Sequence, residues 1–283
     1  MSTSWQPQIT ADGSVTFFSP EFTETFHSSS GARQEAEQKF VVPSGLMAIA
    51  QQKDQLTILD VCYGLGYNTA AALEAVWAVN PLCRVELFAL ELDRSVPLAA
   101  LDFLSSYSSE VQEHLITLAN HLEVKTSHLH SSLNIGDARQ TLPKIPANWQ
   151  ADIIFLDPFS PPKCPQLWTV EFIALLARYL KPQGKIVTYS CAAAVRQALV
   201  MTGLNIASTP SVGRKSPGTI ASPTILDFPP LNQAEIEYLR TRAAIPYRDP
   251  HLEDDAATII KRRQQEQLIS NLEPTKQWQK RWK

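Results

Sequence analysis

From residue 56 to about residue 228, short apolar segments alternate with stretches of helical character. This alternation constrains the fold more than any other feature of the chain. The segments LTILDVC and ADIIFLD are almost continuously apolar. Strands of this kind are buried on both faces, and they occur in parallel sheets that helices cover on both sides. We therefore predict an α/β domain built on a mostly parallel sheet.

The periodicity gives approximate bounds for the individual elements. Strands are predicted at 56–62, 84–92, 133–135, 151–157, 185–190, 205–210 and 219–228. Helices are predicted at 68–79, 168–179 and 192–201. A loosely patterned helical stretch follows the strand at 84–92 and ends at about residue 121, and a turn is predicted at 181–184. Before this region, residues 14–28 resemble a hairpin that turns at Ser19-Pro20, and residues 31–52 resemble a helix.

These patterns divide the chain into three parts. Residues 1–55 form an N-terminal hairpin and helix, residues 56–228 the α/β domain, and residues 229–283 a helical, basic C-terminal extension. From Lys261 to Lys283 the sequence has seven Lys or Arg and two Glu, although the whole chain has a formal net charge of −3. A basic tail on an acidic body indicates an anionic partner, with a solvated helical end as the alternative. Trp278 and Trp282 either stack on bases or pack back on the domain.

Composition excludes several classes of protein. No apolar run reaches the ~18 residues that a membrane span needs, and the N-terminus lacks the pattern of a secretory signal. The four cysteines are scattered, which excludes a disulfide scaffold and a zinc finger and predicts a cytoplasmic protein. His128 and His130 have no acid or cysteine at ligand spacing, so no metal site is predicted.

Parallel sheets bind ligands outside the carboxyl ends of their strands, so the residues that follow each strand are the candidate site. The first strand runs into Asp60, Gly64, Gly66 and Asn68, and two glycines one residue apart allow a tight turn and a close approach to a ligand. A dinucleotide fingerprint needs a third glycine where this chain has Thr69, so a dehydrogenase is disfavoured. A strand-to-helix turn capped by Asp60 is the structural alternative.

The next three strands also end in polar residues. Glu91 ends the second strand, where an acid can accept both hydroxyls of a ribose. Asp137 follows the third strand and is placed to read an adenine edge, although Gly-Asp pairs are also common in turns. Asp157 begins the proline-rich segment DPFSPPK, which predicts a stiff, acceptor-rich pocket with Phe159 as one wall. Such a pocket suits an amine.

Together the four strand ends resemble the class I S-adenosylmethionine (SAM)-dependent methyltransferase fold, which is Rossmann-like, over residues 56–228. In detail the chain is similar to the methyltransferase domain of the bifunctional tRNA 5-methylaminomethyl-2-thiouridine biosynthesis enzyme, MnmC, over residues 14–222. The resemblance lies in four segments: FHSSSGARQEAEQKFV, LDVCYGLGYN, IIFLDPFSPPKCPQLWTVEFI, and CAAAVRQAL followed by VGRK.

The resemblance implies a SAM-dependent N-methyltransferase. Its substrate would be the 5-aminomethyl group of wobble (2-thio)uridine in tRNA, and its product 5-methylaminomethyl uridine. Asp157 would be the catalytic residue. The cofactor-binding residues would be Asp60, Gly64, Gly66, Asn68, Glu91 and Asp137. The residues that bind the tRNA substrate would be Phe159, Lys163, Arg196, Arg214 and Lys215.

We expect a stand-alone form without the FAD-dependent oxidase domain, and therefore the methylation half-reaction only. The amine would then come from a separate oxidase or from upstream wobble-uridine modification enzymes, and the sequence leaves both open. It also leaves the oligomeric state open. Two alternative functions remain at this point: a small-molecule amine N-methyltransferase of the same fold, and a non-catalytic RNA-binding protein.

Overall fold

The structure is a computed structural model that describes residues 5–211 and 216–282. The strands are β1 (Pro7–Ile9), β2 (Val15–Ser19), β3 (Glu24–Thr25), β4 (Gln55–Val61), β5 (Arg84–Glu91), β6 (Glu123–Lys125), β7 (Leu129–Ile135), β8 (Ala151–Leu156), β9 (Leu180–Thr188), β10 (Asn205–Ser208) and β11 (Thr219–Ser222). The helices are α1 (Ala32–Glu35), α2 (Val42–Ser44), α3 (Leu46–Gln52), α4 (Tyr67–Val79), α5 (Ser95–Ala100), α6 (Ser109–His121), α7 (Ala138–Thr141), α8 (Val170–Arg178), α9 (Ala193–Met201), α10 (Gln233–Tyr238), α11 (Ala256–Ile269) and α12 (Thr275–Trp282).

The central sheet has eight strands in the order β10-β11-β9-β8-β4-β5-β7-β6. Strands β7, β5, β4, β8 and β9 are parallel to one another. Strand β11 is antiparallel to both of its neighbours, and β6 is antiparallel to β7. Strand β4 has β5 on one side and β8 on the other, so the chain changes winding direction at β4. This arrangement opens a crevice at the carboxyl ends of β4, β5 and β8.

Buried apolar side chains form two clusters. Each cluster combines side chains of the α/β region with side chains of one terminal segment. One cluster contains residues of α4 and α6 and includes Phe17 and Phe40 from the N-terminal segment. The other contains residues of α8 and α9 and includes Tyr247 and Ile259 from the C-terminal segment. Both terminal segments therefore share apolar contacts with the α/β region.

Several strands differ from the sequence-based expectation. Strand β6 (Glu123–Lys125) was not predicted, and β11 ends at Ser222 although a strand was predicted to continue to residue 228. The third strand of the parallel set, predicted at 133–135, extends over Leu129–Ile135, because alternate residues are buried although the segment as a whole is polar. The predicted turn at 181–184 lies inside β9 (Leu180–Thr188), where the pairing with β8 shifts register between Ala151 and Ile153. A local irregularity in the strand replaces the separate turn.

The predicted helix at 31–52 is divided into pieces. After α1, residues Ala36–Val41 form a π-helix, and Gly45 then separates α2 from α3 with φ of 71°. π-helical turns are rare in proteins, and those that do occur are often found at functional sites. This one lies next to the crevice, as described below.

The C-terminal segment contains α10, α11 and α12, and Trp278 packs back on α10. The ring of Trp278 lies 4.4 Å from that of Tyr238, and its indole N–H donates to the Ala234 carbonyl oxygen at 2.9 Å. Arg281 forms an ion pair with Glu237 at 3.1 Å. Among residues 5–211 and 216–282, no helix has the length and the apolar composition needed to cross a membrane.

Candidate active site

A cavity of about 480 Å³ lies at the carboxyl ends of β4, β5 and β8. Four of the residues predicted from the sequence line it: Gly64, Glu91, Asp157 and Phe159. The N-terminal segment supplies much of the remaining wall. The volume lies within the range of small-molecule sites.

Asp157 follows β8 and has a fixed orientation. The Nδ2 atom of Asn68, near the start of α4, donates to Asp157 Oδ2 at 2.9 Å. Burial raises the pKa of Asp157 well above its usual value. Burial disfavours the ionised form of this carboxyl group, so a cationic or hydrogen-bond-donating ligand in the cavity would stabilise the carboxylate.

Glu91 ends β5 and braces the loop after β4. Its Oε2 accepts from the Gly64 amide at 2.8 Å, and its Oε1 accepts from the Asp93 amide at 3.0 Å. Burial raises the pKa of Glu91. Gly64 has φ of 56°, and a Cβ at this position would lie 3.3 Å from the Phe26 ring. The loop therefore requires glycine here and presents backbone to the cavity.

Asp60 does not have the placement that the sequence indicates. It is fully buried and does not line the cavity. Its Oδ2 accepts from Thr69 Oγ1 at 2.7 Å, and its Oδ1 has no partner among the described residues. Burial raises the pKa of Asp60 to about 7. Gly66 also lies behind the loop, where a Cβ would come within 2.6 Å of the Tyr63 hydroxyl. The turn encloses Asp60 instead of presenting it to a ligand.

Asp137 has protein partners that the sequence analysis did not indicate. Its carboxylate accepts from the Arg139 amide at 2.9 Å, capping α7, and pairs with Arg139 Nη2 at 2.7 Å. The same guanidinium reaches Asp249 at 2.8 Å in the C-terminal segment. Asp137 is not among the described residues that line the cavity. Arg139, two positions away, thus pairs with this carboxylate, and the contact of Asp137 with an adenine stays a prediction.

The burial of Arg196 does not agree with the sequence-based prediction. It was predicted to contact a tRNA phosphate, but it is only 2% exposed. Its guanidinium donates to four groups: Thr219 Oγ1, Glu235 Oε1, Ser208 Oγ and the Gly218 carbonyl oxygen. These contacts tie α9 to β10, to the end of β11 and to α10, so this guanidinium is not available to a phosphate.

The other predicted basic residues have different outcomes. Lys163 is exposed and donates to the Thr23 hydroxyl of the N-terminal hairpin. Arg214 and Lys215 lie outside the described residues.

An aromatic wall closes one side of the cavity. The Phe159 ring stacks on Phe22 with centroids 4.4 Å apart, and Phe26 meets it edge-on at 4.9 Å. The carboxylate of Glu24 accepts from the Ser160 amide at 3.0 Å and from its hydroxyl. The hairpin therefore rests on the loop after β8. The sequence indicated only that phenylalanines cluster in this hairpin.

A buried ion pair also lines the cavity, and the sequence analysis did not assign it. Lys39 Nζ lies 2.6 Å from Glu35 Oε1, and Lys39 is 5% exposed. Glu35 also accepts from the amide and hydroxyl of Ser28. Burial lowers the pKa of nearby His27 to about 4, so this imidazole is neutral at pH 7. A Glu-Lys pair at i, i+4 is usually a feature of an exposed helix face, and only the tertiary packing distinguishes this one.

We looked for clusters of metal-ligating side chains in the part of the chain that the structure describes. There, no group of three or more His, Cys, Asp or Glu side chains is arranged to hold a metal ion. His130 lies 3.6 Å from Glu123 on the neighbouring strand β6.

We compared the sequence and the fold with those of known proteins. A family profile described as S-adenosyl-L-methionine-dependent methyltransferase matches residues 103–224. An uncharacterized protein of Methanocaldococcus jannaschii is 30% identical over 263 residues, which is 90% of this chain and 70% of that protein. The crystal structure of MnmC2 from Aquifex aeolicus superposes with a TM-score of 0.83 and 33% identity, covering 93% of this chain and 85% of the other.

The tRNA 5-methylaminomethyl-2-thiouridine biosynthesis bifunctional protein MnmC of Ralstonia nicotianae is 30% identical over 227 residues. The match covers 76% of this chain but only 34% of the bifunctional protein. The chain thus corresponds to about a third of that relative's length.

Proposed function

The chain belongs to the family of S-adenosyl-L-methionine-dependent methyltransferases that includes MnmC2, and we propose that it methylates the 5-aminomethyl group of wobble (2-thio)uridine in tRNA. The product would be 5-methylaminomethyl uridine. The predicted fold class, the enzyme class and the dependence on SAM are confirmed by these relatives. The amine substrate is our proposal, and the observation that carries it is Asp157, which lines the cavity and is held by Asn68.

The cavity residues fit SAM. Gly64 presents backbone where a side chain would meet Phe26, and Glu91 supplies a buried carboxylate at the end of β5. Each Glu91 oxygen accepts one amide hydrogen bond and retains a lone pair for a ribose hydroxyl. We assign Glu91 to the ribose and the Gly64 loop to the neighbouring part of the cofactor. Gly66 shapes that loop from behind.

Protonation is the main chemical obstacle to this reaction. When bound, SAM supplies a methyl group that its sulfonium makes electrophilic. The substrate amine must offer a lone pair, but an alkyl ammonium with a pKa of about 10 has none. Burial favours the neutral amine, whereas an ionised carboxylate beside it favours the ammonium. The protein must therefore hold the amine close to Asp157 without fixing it in the charged form.

Asp157 is placed to meet this requirement. Burial raises its pKa, which narrows the gap between the carboxyl group and the amine. We propose that the carboxylate accepts one N–H of the neutral amine and aims its lone pair at the methyl group, while Asn68 fixes the carboxylate. The proton lost after methylation then passes to water. Positioning of this kind supplies up to ~7–11 kcal/mol of the barrier reduction when the attack geometry is near ideal.

The tRNA would reach the site along a surface that includes Lys163 beside the hairpin. Lys261, Lys276 and Lys280 of the C-terminal helices are exposed and would supply further phosphate contacts. Phe159 would stack on the flipped uridine. Arg214 and Lys215 remain proposed phosphate contacts from the sequence alone. A tRNA substrate would place the reaction in the cytoplasm.

We also propose that the three segments have separate roles. Residues 1–55 would close the cavity, residues 56–228 would bind SAM and carry Asp157, and residues 229–283 would contribute to tRNA binding. The contacts of Glu24 with Ser160 support the first role, because they join the hairpin to the loop that holds Asp157.

The test is direct. Purified protein is incubated with methyl-labelled SAM and tRNA that carries the free aminomethyl uridine, and the digested nucleosides are separated. We expect label in 5-methylaminomethyl uridine, none in tRNA that lacks the aminomethyl group, and a much slower appearance of label with the Asp157→Asn variant. Absence of label in the competent tRNA, while SAM still binds, would contradict the proposed substrate.

A small amine is the second candidate substrate, and one observation favours it. Acidic residues line the cavity towards its mouth: Glu21, Glu24 and Asp93. Such a rim attracts a free cation more readily than a phosphate backbone. A parallel incubation with diamines and polyamines separates the two, since label in a small amine but not in tRNA would favour this candidate.

A further inference from the structure

We propose that Lys39 and Glu35 form the binding site for the amino-acid end of SAM, with Lys39 on the carboxylate and Glu35 on the α-ammonium. The proposal depends on the SAM dependence of the family and is independent of the tRNA substrate. It does not involve Asp60, which the resemblance placed among the cofactor-binding residues, because the structure encloses Asp60 away from the cavity.

The charged residues around the cavity offer few partners for the carboxylate of SAM. The amino-acid end of SAM carries one negative and one positive group, so it needs partners of both signs. Among the described residues that line the cavity, Lys39 is the one cation. The other charged residues that line it are acids: Glu21, Glu24, Glu35, Glu91, Asp93 and Asp157. A carboxylate in this cavity therefore has a single side-chain cation to bind.

The hydrogen bonds of Lys39 are incomplete. An ammonium has three donors. Within the described part of the chain, Lys39 has one recorded partner, Glu35, although the residue is only 5% exposed. A buried charge with unused donors is costly unless a ligand completes its shell. A carboxylate in the cavity would use the remaining donors.

Glu35 makes the site suitable for a zwitterion. It is held by the amide and hydroxyl of Ser28 and by Lys39, so its position is fixed. The two side chains together carry no net charge, which matches a ligand end that also carries none. A simple carboxylic acid would leave Glu35 without a cationic ligand partner.

The position in the fold agrees with this assignment. The π-helix that carries Lys39 packs against α4 and β9, and the adjacent Phe40 meets Phe155 of β8 edge-on at 5.8 Å. Glu91 ends β5, which lies on the other side of β4. The ribose site and the amino-acid site would thus flank β4, with Asp157 on the β8 side close to the sulfonium.

Binding of truncated ligands tests the proposal without any methylation assay. Titration calorimetry would compare S-adenosylhomocysteine, its decarboxylated analogue, and methylthioadenosine, which lacks the whole amino-acid end. For Lys39→Met we expect a loss of roughly 10–100-fold in affinity for S-adenosylhomocysteine, from removal of a charged hydrogen bond. Affinity for the other two ligands should stay within about threefold, because neither has the carboxylate.

Glu35→Gln should give a different pattern. It should lower the affinity for the two ligands that carry the amine, S-adenosylhomocysteine and its decarboxylated analogue, and leave the affinity for methylthioadenosine unchanged. The matched control is Lys185→Met, because Lys185 is a half-buried lysine beside the N-terminal segment, donates to the Ser44 carbonyl oxygen at 2.8 Å and does not line the cavity. This control should leave the affinities for all three ligands unchanged.

Two outcomes would overturn the proposal. Equal weakening of all three ligands by Lys39→Met would make Lys39 a structural residue, and unchanged affinity for S-adenosylhomocysteine would remove it from the site. If Lys39→Met fails to fold, Lys39→Gln is measured with the same ligands, and the ratio of affinities decides. Because no tRNA is present, a failure of the proposed tRNA reaction would leave this result unaffected.

Discussion

Lys39 and Arg196 are both buried cations paired with a glutamate, but their surroundings differ. Arg196 is 2% exposed and donates to four protein groups, which lie between α9, the edge of the sheet and α10. Lys39 is 5% exposed and has one recorded partner among the described residues, in the wall of a cavity. Burial and ion pairing therefore do not identify a functional cation. Unused donors that face a cavity are the more informative feature.

Two aspartates at neighbouring strand ends show the same contrast. Burial raises the pKa of both Asp60 and Asp157. Only Asp157 lines the cavity, whereas Asp60 is enclosed behind the Gly64 loop. The enclosed residues should therefore affect stability, and those of the cavity should affect ligand binding and rate.

The largest effect should come from Asp157→Asn. We expect kcat to fall by ~10²–10⁴-fold, while the affinity for S-adenosylhomocysteine changes little. The loss should persist across pH if the carboxylate positions a neutral amine. Steady-state kinetics from pH 6 to pH 10 checks this, and a kcat restored at high pH would instead identify Asp157 as the general base.

Arg196→Met tests the expectation that an enclosed cation affects stability and not ligand binding. Removing one partner of a buried ion pair should lower the free energy of unfolding by about 3–5 kcal/mol. Affinity for S-adenosylhomocysteine should be unchanged in the folded fraction. Denaturant titration measures the loss, and Glu235→Gln completes a double-mutant cycle. Weaker tRNA binding at unchanged stability would instead restore the phosphate contact that the sequence indicated.

Asp60→Asn should change the pH dependence of stability. Because the pKa of Asp60 rises from 3.8 to about 7 on folding, the folded state holds a proton that the unfolded state releases between these values. The wild type therefore loses stability as pH rises from 4 to 7, by up to about 4 kcal/mol from this group. The amide keeps the contact with Thr69 and removes this loss.

Thermal or denaturant unfolding at pH 4, 6 and 8 measures the effect of Asp60→Asn. The variant should match the wild type at pH 4 and exceed its stability at pH 8. Parallel pH profiles for the two proteins would show that Asp60 stays ionised in the folded state.

The smallest effect concerns the basic surface. Lys276 and Lys280 are exposed, and replacing both with Ala should reduce the salt slope of tRNA binding by about 1–2 if they contact phosphates. Lys125→Ala is the control, because Lys125 lies on β6 at the far edge of the sheet beside Glu123. An unaltered slope in the double variant would exclude Lys276 and Lys280 of α12 from the interface.

Much of the fold could be predicted because its signal is local. Continuous apolar runs such as ADIIFLD can be buried on both faces only in a covered sheet, and β8 (Ala151–Leu156) is buried throughout. Strand β7 was predicted too short because His130, Ser131 and Ser132 interrupt the apolar pattern. Its pairing with β5 and β6, and not its composition, makes this segment a strand.

The site could be predicted only where a strand end determines it. Asp157, Glu91 and Gly64 line the cavity because parallel strands end at one edge. Arg196 could not be placed in this way, since its partner Glu235 lies 39 residues away in the extension. Lys39 was missed for the opposite reason, because its partner is four residues away and the pattern resembles an ordinary solvated helix.

The π-helix of Ala36–Val41 implies a constraint on chain length as well as on residue type. A π-turn holds more residues than an α-turn, so removing one residue from this segment would let it relax into an ordinary α-helix. At 3.6 residues per turn, such a deletion would rotate the side chains on one side of it by about 100° relative to those on the other. Lys39 and Phe40 would then no longer share the present register with Glu35. A single-residue deletion here should therefore be more damaging than most substitutions in the same segment.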